Sequence, residues 1–181
     1  PYQYNNVFMI GFQGYIPNTS RDIIWNFDMQ VEPGFYGTAG FVIERKNTFT
    51  ASGTFAQPFD FFGITYAGPE NYNAGLQCAN VVNWTPVWQV PVSGIDPLQW
   101  NAYEIRFHYV DAANVLASIS VNDTQVCQST IANFGETELQ IWLDNYKVTI
   151  DSQGVNIGFN NQVTPQGILY DNIAAKAKPA P

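Results

Sequence analysis

The sequence predicts an all-β protein, an antiparallel double-sheet sandwich built as a single domain. Three observations lead there. Apolar residues alternate with polar ones in segment after segment, the period-two pattern of strands with one face in a core. Clusters of Gly, Pro, Asn and Asp punctuate these segments at short intervals. No stretch carries the 3.6-residue period of an amphipathic helix of useful length. With 181 residues the chain has the size of one domain and can bury about 70% of its unfolded surface.

The elements follow in order. The first twenty residues, with Asn5-Asn6, Gly11, Gly14 and Pro17, read as an irregular lead-in with a short strand around Val7–Phe12. Ile23, Trp25, Phe27, Met29 and Val31 alternate with Ile24, Asn26, Asp28, Gln30 and Glu32 up to Pro33-Gly34, a half-buried strand with Trp25 on its core parity. Gly37–Lys46 gives a second strand with Phe41 and Ile43 inward and Glu44 outward. Residues 47–57, rich in Thr, Ser and Gly, form a connection or an edge strand. Phe59–Ala67 is bulky on both parities and is expected to be buried on both faces. Leu76–Val82 is a strand, and the segment after Asn83 is an edge or loop because of Pro86 and Pro91.

Trp100–Tyr109 places Tyr103, Ile105, Phe107 and Tyr109 on one parity and Trp100, Glu104, Arg106 and His108 on the other. Val115, Ala117, Ile119 and Val121 lead into a two-residue Asn122-Asp123 turn. Such a turn pairs Val121 with Thr124 and Ile119 with Val126. Val148–Ile150, Val155–Phe159 and Gly167–Ala175 complete the strands, giving a sandwich domain over residues 1–175. Residues 176–181 lack apolar periodicity and read as a linker or disordered tail that could lead to a neighbouring domain.

Composition narrows the function. Hydrophobic residues make up 46% and charged residues only 12% of the chain, the reverse of a disordered composition. A formal net charge of −8, with basic residues that cluster only at Arg45-Lys46 and Lys176/Lys178, argues against a nucleic-acid partner. No run reaches the roughly 18 apolar residues of a membrane helix, and no signal peptide is recognised. The sequence starts at Pro1 and reads as a mature or excised segment. Cys78 and Cys127 are either bridged or two buried free thiols; a bridge would be worth roughly 4 kcal/mol by loop closure.

The most informative stretch is Glu136–Tyr146. Leu139, Ile141 and Leu143 alternate with Glu138, Gln140, Trp142 and Asp144. One face therefore packs in a core while the other presents carboxylates, an amide and an indole. Hydrogen-bonding groups beside a flat apolar plate are what a sugar ring requires.

The strands Trp100-Asn-Ala-Tyr-Glu-Ile-Arg, Ile119-Ser-Val-Asn-Asp-Thr-Gln-Val and Ile168-Leu-Tyr-Asp-Asn-Ile resemble those of concanavalin A-like domains. The resemblance covers residues 100–175 better than 1–99. It implies a curved jelly-roll sandwich whose concave sheet holds saccharide, and a place among laminarinase-type hydrolases or laminin-G-like binding modules. The Glu-x-Asp-x-x-Glu run of the laminarinase-type enzymes is absent. Glu138-Leu-Gln-Ile-Trp-Leu resembles the nucleophile strand of family 12 endoglucanases, yet no Glu follows Glu138 to act as their second catalytic residue. Asp171-Asn172 resembles the position of a structural calcium in several such domains; no other cofactor is implied.

A polysaccharide-binding domain, secreted or at the cell surface, is the function these features predict. Glu104, Arg106, His108, Glu138, Gln140, Trp142 and Asp144 are its expected ligand residues, on the condition that both strand faces line one sheet. The alternative is a glycosidase or polysaccharide lyase, with Glu138, Glu104, Glu136 and His108 as candidate catalytic groups. Glu136 and Glu138, two apart on one face, stand roughly 6.6 Å apart, whereas Glu138 and Asp144, at about 20 Å, do not form a pair. A Glu104–Glu138 pair requires neighbouring strands. His108 is the natural lyase base, although Tyr109 points to the other face. A structural or adhesive protein that self-associates is the third class compatible with so amide-rich a chain.

Overall fold

The computed structural model describes residues 12–15, 21–45, 60–83, 85–144, 146–151, 154–159 and 167–179. Thirteen strands follow one another: β1 (Phe12–Tyr15), β2 (Arg21–Val31), β3 (Thr38–Arg45), β4 (Phe61–Ala67), β5 (Gly75–Val82), β6 (Thr85–Pro91), β7 (Asn101–Tyr109), β8 (Asn114–Val121), β9 (Thr124–Ala132), β10 (Glu136–Asp144), β11 (Tyr146–Asp151), β12 (Gly154–Phe159) and β13 (Ile168–Pro179). A six-stranded sheet has the order β1-β10-β3-β4-β5-β6 and a five-stranded sheet the order β13-β2-β7-β8-β9, while β11 and β12 form a separate hairpin. Every pairing among the described residues is antiparallel. The expected two-sheet sandwich is the fold.

Alternation decides which side chains meet. Trp25, Phe27 and Met29 of β2, Tyr103, Ile105 and Phe107 of β7, and Ile119 of β8 share one core with Phe41 and Ile43 of β3, Phe62 and Ile64 of β4, and Leu139 and Ile141 of β10. Phe27 stacks on Phe41 of the facing sheet and on Tyr103 of its own, at ring-centroid distances of 3.5 and 5.0 Å. β4 is buried on nearly its whole length, as its two apolar parities require. On its outward parity Phe61 joins Val42, Ala79 and Val81 in a second, smaller cluster. Gly63 allows β3 and β4 to approach: a Cβ there would lie 2.4 Å from the carbonyl oxygen of Phe41.

Two expectations need correction. The strand expected at Val7–Phe12 and the segment 47–57 fall outside the described residues except for Phe12, which opens the strand Phe12–Tyr15. The Asn122-Asp123 turn forms with positive φ at both positions, and Val121 pairs with Thr124 as expected. Beyond it, however, Ser120 pairs with Gln125 and Ile119 with Cys127, not with Val126. Val126 is the extra residue of a β-bulge, which breaks the one-to-one count and turns the following side chain to the other face. Cys127 therefore points into the core and forms a disulfide with Cys78, with Cα atoms 6.6 Å apart. Finally, the tail does not begin at residue 176: β13 continues along β2 as Lys176↔Ile24, Ala177↔Ile23, Lys178↔Asp22 and Pro179↔Arg21.

Candidate functional site

The predicted site residues divide between two sheets. Glu138 and Gln140 project from β10 away from the shared core, and Glu104, Arg106 and His108 project from β7 away from the same core on its other side. The two sets lie on opposite outer faces of the sandwich, so a single surface made from both does not form. A Glu104–Glu138 pair is ruled out for the same reason, since β7 and β10 belong to different sheets. The side chains of Glu136, Trp142 and Asp144 lie outside the described set; along the backbone they stand opposite Tyr15, Gly40 and Thr38.

On the six-stranded sheet, the register brings Glu138 directly opposite Glu44 of β3. Cross-strand neighbours of this kind have Cβ atoms about 4.5–5.5 Å apart. Glu44 is 2% exposed, and its Oε2 has no hydrogen-bond partner. Burial, reinforced by the negative charge of Glu138, pushes the Glu44 carboxyl up to about 8. Gln140 and Gln77 are also buried on this face. The arrangement is a carboxyl pair in which one member holds its proton at neutral pH. Nothing in the local sequence marks Glu44; only the pairing of strands far apart in the chain creates the pair.

The outer face of the five-stranded sheet is open. A groove of about 390 Å³ is lined by Asn26, Glu104, Arg106, Ser118, Ser120 and Gln125, with Ala102, Tyr103 and Asp123 completing its wall. Its side chains come from β2, β7, β8 and β9, and their outward parity sets them side by side. Arg106 donates through Nε and Nη2 to Glu104 Oε1 at 3.2 and 3.0 Å, and its Nη1 lies 3.7 Å from Asp22 Oδ2. Asn26 Nδ2 donates to the other Glu104 oxygen at 3.4 Å. Asp22, buried at the end of this row, also holds Nδ1 of His108 at 2.8 Å. The lyase trio is thus only half assembled: His108 and Arg106 meet through Asp22, whereas Tyr109 follows the opposite parity and pairs with Val115.

Trp100 precedes β7 by one residue and is 49% exposed. It stands two residues before Ala102 and four before Glu104, both of which line the groove. Its outward parity was visible in the sequence; its exposure was not. Leu98 and Leu169 are exposed nearby, joined through Gln30, which pairs with Leu169 and donates to the Leu98 carbonyl at 2.7 Å. An exposed indole thus immediately precedes the strand that gives Ala102, Glu104 and Arg106 to a groove of hydroxyl, amide and paired ionic groups.

At Asp171, where a calcium is expected, the described surroundings are hydrogen-bonded to one another. Asp171 faces Asp28 across β13–β2, but Asn172 occupies both: its backbone N–H donates to Asp171 Oδ1 and its side-chain amide to Asp28 Oδ2. Among the described residues no group of three or more His, Cys, Asp or Glu could hold a metal ion. Calcium requires six to eight oxygens, and the described residues named at this corner supply two carboxylates, those of Asp28 and Asp171.

No protein-family model matches the chain, and no curated protein does. Solved structures do. A carbohydrate-binding module, CBM66 from Bacillus subtilis, matches with TM-score 0.50 and 9% identity over 91% of this chain and 77% of that one. A mutant of the alginate lyase Aly36B in complex with an alginate tetrasaccharide matches with TM-score 0.55 and 10% identity over 99% and 80%. A β-1,3-1,4-glucanase (lichenase) derived from a mouse hindgut metagenome matches with TM-score 0.51 and 15% identity over 97% and 68%. The fold is the concanavalin A-like jelly roll. At these identities the likeness concerns the fold, which carries many chemistries. Among the described residues no helix is long and apolar enough to cross a membrane.

Proposed function

We propose that the protein is an extracellular polysaccharide-binding domain that holds its ligand on the outer face of the five-stranded sheet. The observation that carries this reading is the groove between Glu104, Arg106, Ser118 and Ser120, with the half-exposed indole of Trp100 just before the strand that carries Glu104 and Arg106. Concave sites with a few convergent polar groups are the default ligand sites of folded proteins. An indole offers a pyranose ring both apolar burial and an oriented face. The carbohydrate-binding and carbohydrate-cleaving neighbours of the fold agree with this class of ligand. The Cys78–Cys127 disulfide suits an oxidising, extracellular setting. Screening the intact chain on a glycan array, with Trp100→Ala beside it, tests the reading. Binding to a polysaccharide that is lost in the variant supports it; a wild-type chain that binds no glycan defeats it.

The Glu44–Glu138 pair favours a second reading, glycoside hydrolysis, because two carboxyl groups held apart in protonation are the machinery of that reaction. It stands second because the Glu44 oxygen that lacks a partner is sealed from solvent. Release of reducing sugar from a bound polysaccharide, abolished by Glu138→Gln, would raise it to first place.

A further inference from the structure

We infer that the groove on the five-stranded sheet selects neutral polysaccharides and excludes polyanionic ones. The inference rests on the binding reading above and adds the chemical class of the ligand. Recognition of a uronate or sulfate polymer requires cations that are available to it, preferably guanidinium forks open for bidentate contact. The cation lining this groove is Arg106, and its fork is committed: Nε and Nη2 both serve Glu104 Oε1, while Nη1 faces Asp22 Oδ2 at 3.7 Å. The imidazole of His108 is likewise turned to Asp22. Two carboxylates thus oppose one guanidinium, and Asp123 adds a third acidic group to the wall.

The next described cation of this face, Lys176, stands opposite Ile24 on β13, with β2 between it and Arg106. That is roughly 10 Å away at the usual strand spacing. The protein as a whole carries a net charge of −8, which repels a polyanion before contact. Apart from these carboxylates, the lining offers a ligand uncharged groups, the amide oxygens of Asn26 and Gln125 and the hydroxyls of Ser118 and Ser120, with the exposed indole of Trp100 just before β7. These are partners for ring faces and hydroxyl groups.

Affinity electrophoresis and calorimetric titration would use β-1,3-1,4-glucan and galactomannan as neutral probes and alginate and κ-carrageenan as anionic ones. The wild-type chain is expected to bind a neutral probe at least tenfold more tightly than either anionic one. Its affinity should stay within about twofold between low and high salt, because no ion pair with the ligand is there to be screened. Trp100→Ala, checked by thermal melt to be folded, should weaken the neutral probe about tenfold. Glu104→Gln should strengthen the anionic probes by freeing the Arg106 fork. Tighter binding of alginate or κ-carrageenan than of both neutral probes, or affinity for a neutral probe that falls steeply with salt, would overturn the inference while leaving the binding reading intact. Failure to bind any of the four probes or any glycan on the array would overturn both.

Discussion

Glu44 and Glu138 face each other across β3 and β10, Glu44 buried and Glu138 partly exposed. The folded chain therefore holds a proton on Glu44 that the unfolded chain gives up at an ordinary carboxyl value. The carboxyl is raised from 4.5 to about 8, so its share of stability is complete below pH 4.5 and is lost as pH rises toward 8. The loss amounts to roughly 3–5 kcal/mol at 1.36 kcal/mol per unit. Denaturant unfolding of the wild type and of Glu44→Gln at pH 4.5 and 8 measures it: relative to wild type, the variant should gain about that amount between the two values. Parallel pH profiles of the two proteins would contradict the assignment.

The same pair predicts an effect at a distance of one strand. Burial is the larger cause of the Glu44 shift and the charge of Glu138 the smaller. Glu138→Gln should therefore lower the Glu44 titration midpoint without returning it to the ordinary carboxylate range. Carbon-13 chemical shifts of the Glu44 carboxyl, followed against pH in both proteins, would show it.

Cys78 lies in β5 and Cys127 in β9, so their disulfide ties the six-stranded sheet to the five-stranded one. The bridge spans 49 residues of sequence, and closing a loop of that length in the unfolded chain contributes about 4 kcal/mol in the chain-entropy account. Replacing both cysteines with Ala is expected to lower unfolding free energy by about that much. Alkylation of the native protein should label no thiol until reductant and denaturant are added.

Asp60 gathers three donors at the end of the six-stranded sheet: Arg45 Nε at 3.0 Å, Arg45 Nη2 at 2.9 Å and the backbone N–H of Asn83 at 2.8 Å. Arg45 also lies over the Phe134 ring at 5.6 Å. The carboxylate is almost wholly buried while the guanidinium keeps a third of its surface in water. Asp60→Ala should cost about 2–3 kcal/mol in urea unfolding, toward the lower end for a buried pair that loses one member. A loss below a few tenths would mean the pair is merely superficial.

The strands were legible because alternation is a local property. Ile23 to Val31, Tyr103 to Phe107 and Leu139 to Leu143 each declare their core face within a few residues. Pairing is not local, and there the reading failed. Nothing near Glu138 says that Glu44 will be its neighbour, nor does anything near Arg106 announce Asp22. The bulge at Val126 escaped because counting by twos presumes that every residue has an opposite number. Lys176 and Lys178 resembled a tail because their segment lacks apolar side chains. An edge strand is held by backbone hydrogen bonds, which leave no mark on composition. The single combined site was lost for the same reason as the carboxyl pair was missed: face is encoded along the strand, whereas sheet membership is encoded across it.

The pairing of β13 with β2 joins residues as much as 158 positions apart, as between Arg21 and Pro179. Until the segment after Ile168 arrives, β2 has a partner on one side only, β7, and its other edge offers unpaired N–H and C=O groups to any strand nearby. Closing so long a loop delays the reward of the contact behind its entropic cost. The chain therefore carries an open edge beside β2 until β13 docks. Refolding should be slow and concentration-sensitive, with crowding by other copies diverting the chain before that strand docks.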